Sequence, residues 1–196
     1  MRKLTVVNNL TLDGVLQAPG RPDEDTRDGF QHGGWAQPYN DSVMGEVMGE
    51  KMASGGDLLL GRRTFEDFAS YWPEQTDNPF TPVLNKTQKY VASTTLAEPL
   101  SWSNSTLLKG AVAAAVATLK EQPGGDITVL GSGELVRSLM RHDLVDEYVL
   151  LIHPLLLGTG RRLFPGAAGP AALRLVDAVP TTTGVLIATY AARQAE

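Results

Sequence analysis

Gly61, Arg62, Arg63 and Thr64 follow the apolar run 58–60 in the segment DLLLGRRTF. A continuous apolar run suits a strand covered on both faces, and a glycine directly after it lets the backbone approach a ligand closely. If a helix starts there, its unpaired first-turn N–H groups, two guanidinium groups and a hydroxyl converge in a combination that binds phosphate. The alternative is a pair of solvated arginines at a helix start. A second turn of this kind, GSGEL at 131–135, follows the short apolar run 127–130; its glycines admit a close backbone approach and Ser132 adds a donor. GSGEL lacks the third glycine of GxGxxG, and no GxxxxGK[ST] occurs, so neither a Rossmann fingerprint nor a nucleotide triphosphatase is indicated.

A different group of residues precedes these turns. Asp13 sits in LTLDG, where Asp13-Gly14 offers a turn. Trp35 and Tyr39 offer rings that can stack on a heterocycle, or that anchor their own loop, and His32 offers a hydrogen bond or a proton. His153 precedes Pro154 at a strand end, which favours a structural role, and His142 lies beside Asp143 at a helix end. The three histidines at 32, 142 and 153 share no short spacing, so no metal site is expected. Arg161 and Arg162 form a second basic pair, read as a surface crossover packed through Leu163 and Phe164 in preference to a substrate-phosphate site.

Composition limits what these residues can serve. The 196 residues carry 17 basic and 22 acidic side chains, a net charge of -5, which provides no general attraction to nucleic acid or an anionic membrane. The arginines at 62 and 63 must therefore act locally. There is no cysteine, hence no disulfide framework or thiolate chemistry. The N-terminal stretch turns polar at Asn8 and Asn9 before a signal-peptide core is complete, and no apolar run reaches membrane-spanning length. The expectation is a soluble, cytoplasmic, single-domain chain over 1–196.

The elements that must position these residues follow from periodicity and turn signals. Strands are predicted at 4–8, 57–60, 89–92, 127–130 and 145–152, with a C-terminal antiparallel pair at 173–179 and 185–191. Helices are predicted over 43–52, 64–70, 107–121 and 135–141, the first carrying a methionine stripe read as core. The segment 17–40 is a loop, too long for a simple connection and rich enough in rings to fold back as a lid. From Pro73 to Asn85 the chain reads as polar and proline-broken. Strands alternating with helices make an α/β fold with a mixed sheet.

Five segments in order, LTLDG, LLLGRRTFEDF, KYVASTTL, VLGSGELVRSL and LVDEYVLLIHPLLLGTGRRLF, resemble the dihydrofolate-reductase-like superfamily. Within it they are most similar to the reductase domain of the bacterial bifunctional riboflavin-biosynthesis deaminase-reductase. The resemblance implies a three-layer α/β/α sandwich with a central, mostly parallel sheet, and NADPH lying across the carboxyl ends of the central strands. It assigns Gly61, Arg62, Arg63 and Thr64 to the adenosine phosphate and pyrophosphate, with Arg62 suited to the 2′-phosphate. Ser93 and Thr94 are assigned to the ribose-phosphate, and Gly131, Ser132, Gly133, Glu134 and Leu135 to the second pyrophosphate and nicotinamide-side turn. Asp13 takes the place of an aspartate that faces the substrate and is the catalytic candidate; Trp35, Tyr39 and His32 are further substrate candidates by their own chemistry, in a loop that the resemblance does not reach.

The implied activity is hydride transfer from NADPH to a small heterocycle, a pyrimidine of riboflavin biosynthesis or a pterin. Glu46 and Glu50 lie on the helix that carries the pterin-binding acid of dihydrofolate reductases, but their spacing suggests solvent-facing side chains. No deaminase zinc motif accompanies the reductase pattern. The alternative is a non-catalytic dimeric nucleotide-binding or regulatory protein on the same fold. In either case a homodimer with a small-molecule ligand is expected.

Overall fold

The apolar runs ending at Gly61, Ala92 and Leu130 become neighbouring parallel strands in the computed structural model, which describes residues 1–165 and 170–192. In chain order the elements are β1 (Leu4–Thr11), α1 (Ser42–Ala53), β2 (Asp57–Gly61), α2 (Arg62–Tyr71), α3 (Phe80–Lys86), β3 (Lys89–Ala92) and β4 (Ser105–Leu108). They continue with α4 (Val112–Glu121), β5 (Ile127–Leu130), α5 (Gly133–Met140), β6 (Glu147–His153), β7 (Leu173–Pro180) and β8 (Leu186–Ala192). Strand order in the sheet is β4-β3-β2-β5-β1-β6-β8-β7. The fold is the mixed, mostly parallel α/β type expected, with antiparallel C-terminal strands. Two compact units are distinguishable, one from 1–5 and 55–144 and the other from 6–54 and 145–196.

The first unit is built on parallel pairing. β2 lies between β3 and β5, with Leu59 opposite Tyr90 on one side and Val129 on the other, and β3 also pairs with β4. Leu58, Leu59 and Leu60 are buried in succession, as a parallel strand covered on both faces requires. Phe65 of α2, Val116 of α4 and Val136 and Leu139 of α5 complete the core. Burying a large aliphatic or aromatic side chain of this kind contributes roughly 1.5–3 kcal/mol. At the start of the unit Arg2 donates to Asp57 at 2.5 Å and to the carbonyl of Gly125.

Two sequence expectations change here. The helix expected over 107–121 begins only at Val112, because Leu107 and Leu108 pair with Val91 and Ala92 as part of β4. Gly110, at φ +77°, breaks the chain between the two elements. The proline-broken stretch before Asn85 holds α3, whose prolines do not interrupt it. Pro79 is its N-cap and Pro82 falls in the first turn, where no intrahelical N–H is lost, while Thr81 and Leu84 are buried.

In the second unit β6 pairs antiparallel with β8, and β8 with β7. The connecting turn closes through Thr181, whose N–H donates to the carbonyl of Val185 and whose hydroxyl accepts from the N–H of Val185. Asp41 caps α1 by accepting from the N–H of Met44 at 2.8 Å, and it also accepts from the N–H and hydroxyl of Thr182. In α1 only Met44 is buried; Val43, Val47, Met48 and Met52 are half-buried, so the methionine stripe is core at one position. The segment 17–40 does fold back, with two short 3₁₀ turns and a small core of Val15, Ala18, Phe30, Trp35 and Ala36. Among the described residues no helix is long and apolar enough to cross a membrane.

Lys89 ties the unexpected helix to the sheet. It is fully buried, and its ammonium donates to the carbonyls of Leu84 and Thr87, each at 2.7 Å, beside the ring of Trp102 at 4.4 Å from the centroid. A cation at a helix C-terminus satisfies carbonyls that the helix leaves unpaired. Lys89→Ala is expected to lower the unfolding free energy by about 2–4 kcal/mol, since two buried acceptors lose their donor. Urea denaturation checks this, and a loss below about 0.5 kcal/mol, typical of a surface substitution, contradicts it.

Candidate functional site

The carboxyl ends of β3, β2 and β5 lie side by side in the first unit, and each opens into one of the segments singled out from the sequence. Gly61 is opposite Ala92, so Ser93 and Thr94 follow the strand end next to the 61–64 turn. On the other side β5 runs into Gly131 and Ser132, which precede α5. In parallel α/β sheets, ligands bind outside the carboxyl ends of the strands. The structure thus gathers the predicted residues of 61–64, 93–94 and 131–135 along one sheet edge.

One side chain joins two of these turns. The N–H of Gly61 donates to Oγ of Ser132 at 2.8 Å, and the same Oγ shares a hydrogen bond with Oγ1 of Thr64 at 2.7 Å. A Cβ on residue 61 would stand 2.8 Å from that Ser132 oxygen, so only glycine permits the contact. Ser132 adopts a left-handed backbone, φ 58° and ψ 57°, which costs a non-glycine residue roughly 1–2 kcal/mol and marks a constrained turn. Its hydroxyl is committed to α2 and does not cap α5, and Gly61 offers no cap to α2. Neither N-cap residue, Gly61 or Ser132, bonds the first turn of its helix through a side chain.

Charge at this edge is balanced. Nη1 of Arg62 donates to both carboxylate oxygens of Glu66, one turn along α2, at 3.2 and 2.9 Å. Arg63 reaches Glu134 of α5 at 3.8 Å. Ser93 is buried, and its hydroxyl accepts from the N–H groups of Thr95 and Leu96 at 3.1 and 3.0 Å, fixing the turn after β3 and leaving Thr94 exposed. Leu135 is a core residue by its side chain, so only its backbone is available to a ligand. The donor set of hydroxyls, guanidinium groups and two uncapped helix starts fits a dinucleotide's phosphates.

In the second unit Asp13 is saturated with donors. Oδ1 accepts from Thr11 Oγ1 at 2.5 Å and from the N–H of Leu157 at 3.2 Å; Oδ2 accepts from the N–H of Gly158 at 2.9 Å and from Arg162 at 3.1 Å. These bonds, led by that of Thr11, hold its pKa down to about 2. Asp13 is therefore an anion that fixes the 157–162 loop, and a carboxylate so held has no proton to donate at neutral pH. Arg162 also donates from Nε to the carbonyl of Asp13, and Arg161 donates to Asp28 at 2.8 Å, so both arginines bind other parts of their unit. Leu163 is fully buried, as the crossover reading required, while Phe164 is 44% exposed and stands edgewise to the ring of Tyr148.

The aromatic candidates separate. Trp35 is buried, with its indole N–H donating to the carbonyl of Gln17 at 2.7 Å, which gives it a loop-anchoring role. Tyr39 is half-buried, and both rings stand edgewise to His153, at centroid distances of 5.4 Å for Tyr39 and 5.1 Å for Trp35. His32 is exposed and packs only against the edge of Phe30 among the ring contacts seen. Two organising residues escaped the sequence reading. Gln17 is buried and bonds Asp25, Arg27 and Arg161, and Oδ1 of Asn9 accepts from His153 Nε2 at 2.9 Å. Their partners lie up to 144 positions away, so no local pattern signals them.

With this geometry the chain can be set beside known proteins. It matches the RibD C-terminal domain family over residues 2–187 and belongs to that family. Bacillus subtilis YyaP is 29% identical over 137 residues, 68% of this chain and 72% of YyaP. YwjB of the same organism is 31% identical over 120 residues, 60% of this chain and 63% of YwjB. Among solved structures, a Shewanella protein assigned to riboflavin biosynthesis aligns with a TM-score of 0.68 at 20% identity, covering 98% of this chain and 99% of its own. A pyrimidine reductase-like protein from Corynebacterium diphtheriae gives 0.69 at 11% identity, with 99% and 93% covered. The dihydrofolate reductase of Enterococcus faecalis, solved with NADP(H), gives 0.59 at 16% identity, with 98% and 97% covered. The fold is that of dihydrofolate reductase.

His153 supplies a pH test of the second unit. Burial pushes its pKa from 6.5 down to about 4, so the imidazole is neutral in the folded protein. Between those values the unfolded chain binds a proton that the folded chain does not. Stability is therefore full above about pH 6.5 and falls as the pH approaches 4, by about 3 kcal/mol in all. Denaturation midpoints at neutral and mildly acidic pH are expected to converge in His153→Gln relative to the parent; an undiminished acid-side loss in the variant contradicts the assignment.

Proposed function

We propose that the chain is an NADPH-dependent reductase that transfers a hydride to a small heterocyclic substrate of the pyrimidine class. The observation that carries this reading is the row of three parallel strand ends, two of them joined through Ser132, with Arg62 and Arg63 at the head of α2. Membership of the RibD C-terminal domain family and the fold shared with an NADP(H)-binding reductase support it. NADPH supplies the hydride when bound. The protein's part is to hold and orient the dinucleotide and to recognise the acceptor.

In this reading Arg62 meets the 2′-phosphate, with guanidinium against dianion as the dominant contact. The mutual bond of Ser132 and Thr64 uses one of their two hydroxyl hydrogens, and the other is left to donate to a pyrophosphate oxygen. First-turn N–H groups of α2 and α5 supply the remaining donors. Ser93 shapes the turn that presents Thr94 to the ribose-phosphate. The pyrimidine is preferred to a pterin because Glu46 and Glu50 are both exposed on α1, so the helix offers no buried carboxylate for a pterin ring. Asp13 acts as a positioning residue for the 157–162 loop, and Tyr39 and His32 are the ring candidates for substrate contact.

Two substitutions test the reading. Arg62→Ala is expected to weaken NADPH relative to NADH by about 2 kcal/mol, the worth of a charge-assisted hydrogen bond. Titration followed by nicotinamide fluorescence measures it, and equal weakening of both dinucleotides removes Arg62 from the 2′-phosphate. Asp13→Asn sets an amide N–H₂ group against the donors of its own loop. Turnover is expected to fall roughly ten- to a hundredfold with NADPH affinity retained, and amide exchange at Leu157 and Gly158 to rise. Unchanged turnover and exchange together leave Asp13 as a simple turn residue. NADPH binding with no oxidation by any pyrimidine or carbonyl acceptor assigns the chain to a nucleotide-binding role instead.

A further inference from the structure

Both arginines at the head of α2 are matched by carboxylates, Arg62 by Glu66 and Arg63 by Glu134, so the formal charge of these four side chains is zero. A cradle built solely to attract a dinucleotide with an extra phosphate has no use for a carboxylate against its reading arginine. Glu66 holds Arg62 through both carboxylate oxygens, from a position one helical turn away where the pairing is intrinsic to the helix. From these contacts we infer that Glu66 is a specificity-determining residue that moderates the site's preference for 2′-phosphorylated over unphosphorylated dinucleotide. The inference rests on the proposed cofactor reading and deepens it.

The physical basis is competition. A 2′-phosphate carries roughly two negative charges near neutral pH. It can engage the Nε and Nη2 donors that lie outside the Nη1 bonds to Glu66, but it does so beside a like charge and against a guanidinium whose charge Glu66 already offsets. A 2′-hydroxyl meets neither obstacle, because it can donate to the Glu66 carboxylate while Arg62 stays paired. Glu66 therefore weakens the phosphorylated ligand and is neutral or favourable to the unphosphorylated one. The pair is partly exposed, with 36% of the Arg62 side chain and 46% of that of Glu66 accessible, so the effect is moderate and is screened by salt.

The test compares the dissociation constants of NADPH and NADH for the full chain and for Glu66→Gln, at low and at high ionic strength. Glutamine keeps the length and helix propensity of the side chain and removes its charge. NADPH is expected to bind roughly three- to fivefold more tightly to the variant at low salt, with NADH unchanged or weaker, and the difference is expected to shrink as salt is added. An unchanged ratio overturns the inference. So does a fall in NADPH affinity, which makes Glu66 an organiser of Arg62 for the phosphate. If Arg62→Ala selectively weakens NADPH while Glu66→Gln leaves the ratio unchanged, the cofactor reading stands and this inference alone fails. If the parent chain binds neither dinucleotide, both fail.

Discussion

The hydroxyl of Ser132 bridges the N–H of Gly61 and the hydroxyl of Thr64, and the candidate site depends on that bridge. Several conditions must hold together for one oxygen to reach both partners. β2 and β5 must be adjacent and parallel, with Leu59 opposite Val129, so that their turns emerge at the same edge. Residue 61 must lack a Cβ, and residue 131 must accept φ +60° while a Cβ there would press on Thr64 at 3.2 Å. Ser132 itself must stay left-handed. The bridge sets the spacing between the starts of α2 and α5, and with it the spacing of their first-turn N–H groups. A diphosphate group needs such a fixed separation, since each phosphate must find donors without rearrangement of the turns.

Electrostatics gives the two units different characters. Along the carboxyl edge of β2, β3 and β5, cations and carboxylates are paired but accessible, so an incoming anion can redistribute them. In the second unit the charge on Asp13 is locked by four donors, with a pKa near 2 as the consequence. His153 is locked in the opposite sense, neutral because it is buried among Asn9, Trp35 and Tyr39. The first arrangement suits exchange with a ligand; the second holds loops still. Gln17, whose side chain bonds the backbone of Asp25, Arg27 and Arg161, extends that rigidity through 17–40.

The parts legible in the sequence were those with local signals. β2, β3 and β5 are short apolar runs ended by small or hydroxyl residues, and each lies where the periodicity set it. β4 stayed hidden because Leu107 and Leu108 border a run of alanines and leucines that reads as helix, and strand pairing with β3 overrides that propensity. α3 was masked by Pro79 and Pro82, whose positions at the N-cap and in the first turn are harmless although their presence suggests a break. Within the site, residue types and turns were visible but their connections were not: Ser132 and Gly61 are 71 positions apart. The pairing of Arg62 with Glu66 was within reach, since the i,i+4 spacing states it. Trp35 shows the opposite case, a ring whose chemistry allows stacking on a ligand but whose indole N–H is satisfied by its own loop.

The central claim is that the strand-end turns at 61–64, 93–94 and 131–135 hold the phosphates of NADPH. An amide chemical-shift titration of the isotopically labelled chain with NADPH tests it most directly. The account expects saturable shifts concentrated at Gly61, Thr64, Thr94, Ser132 and Gly133, with those of Gly61 and Ser132 moving together because one hydroxyl joins them. Saturable shifts confined to other parts of the chain, or none at any NADPH concentration, contradict it.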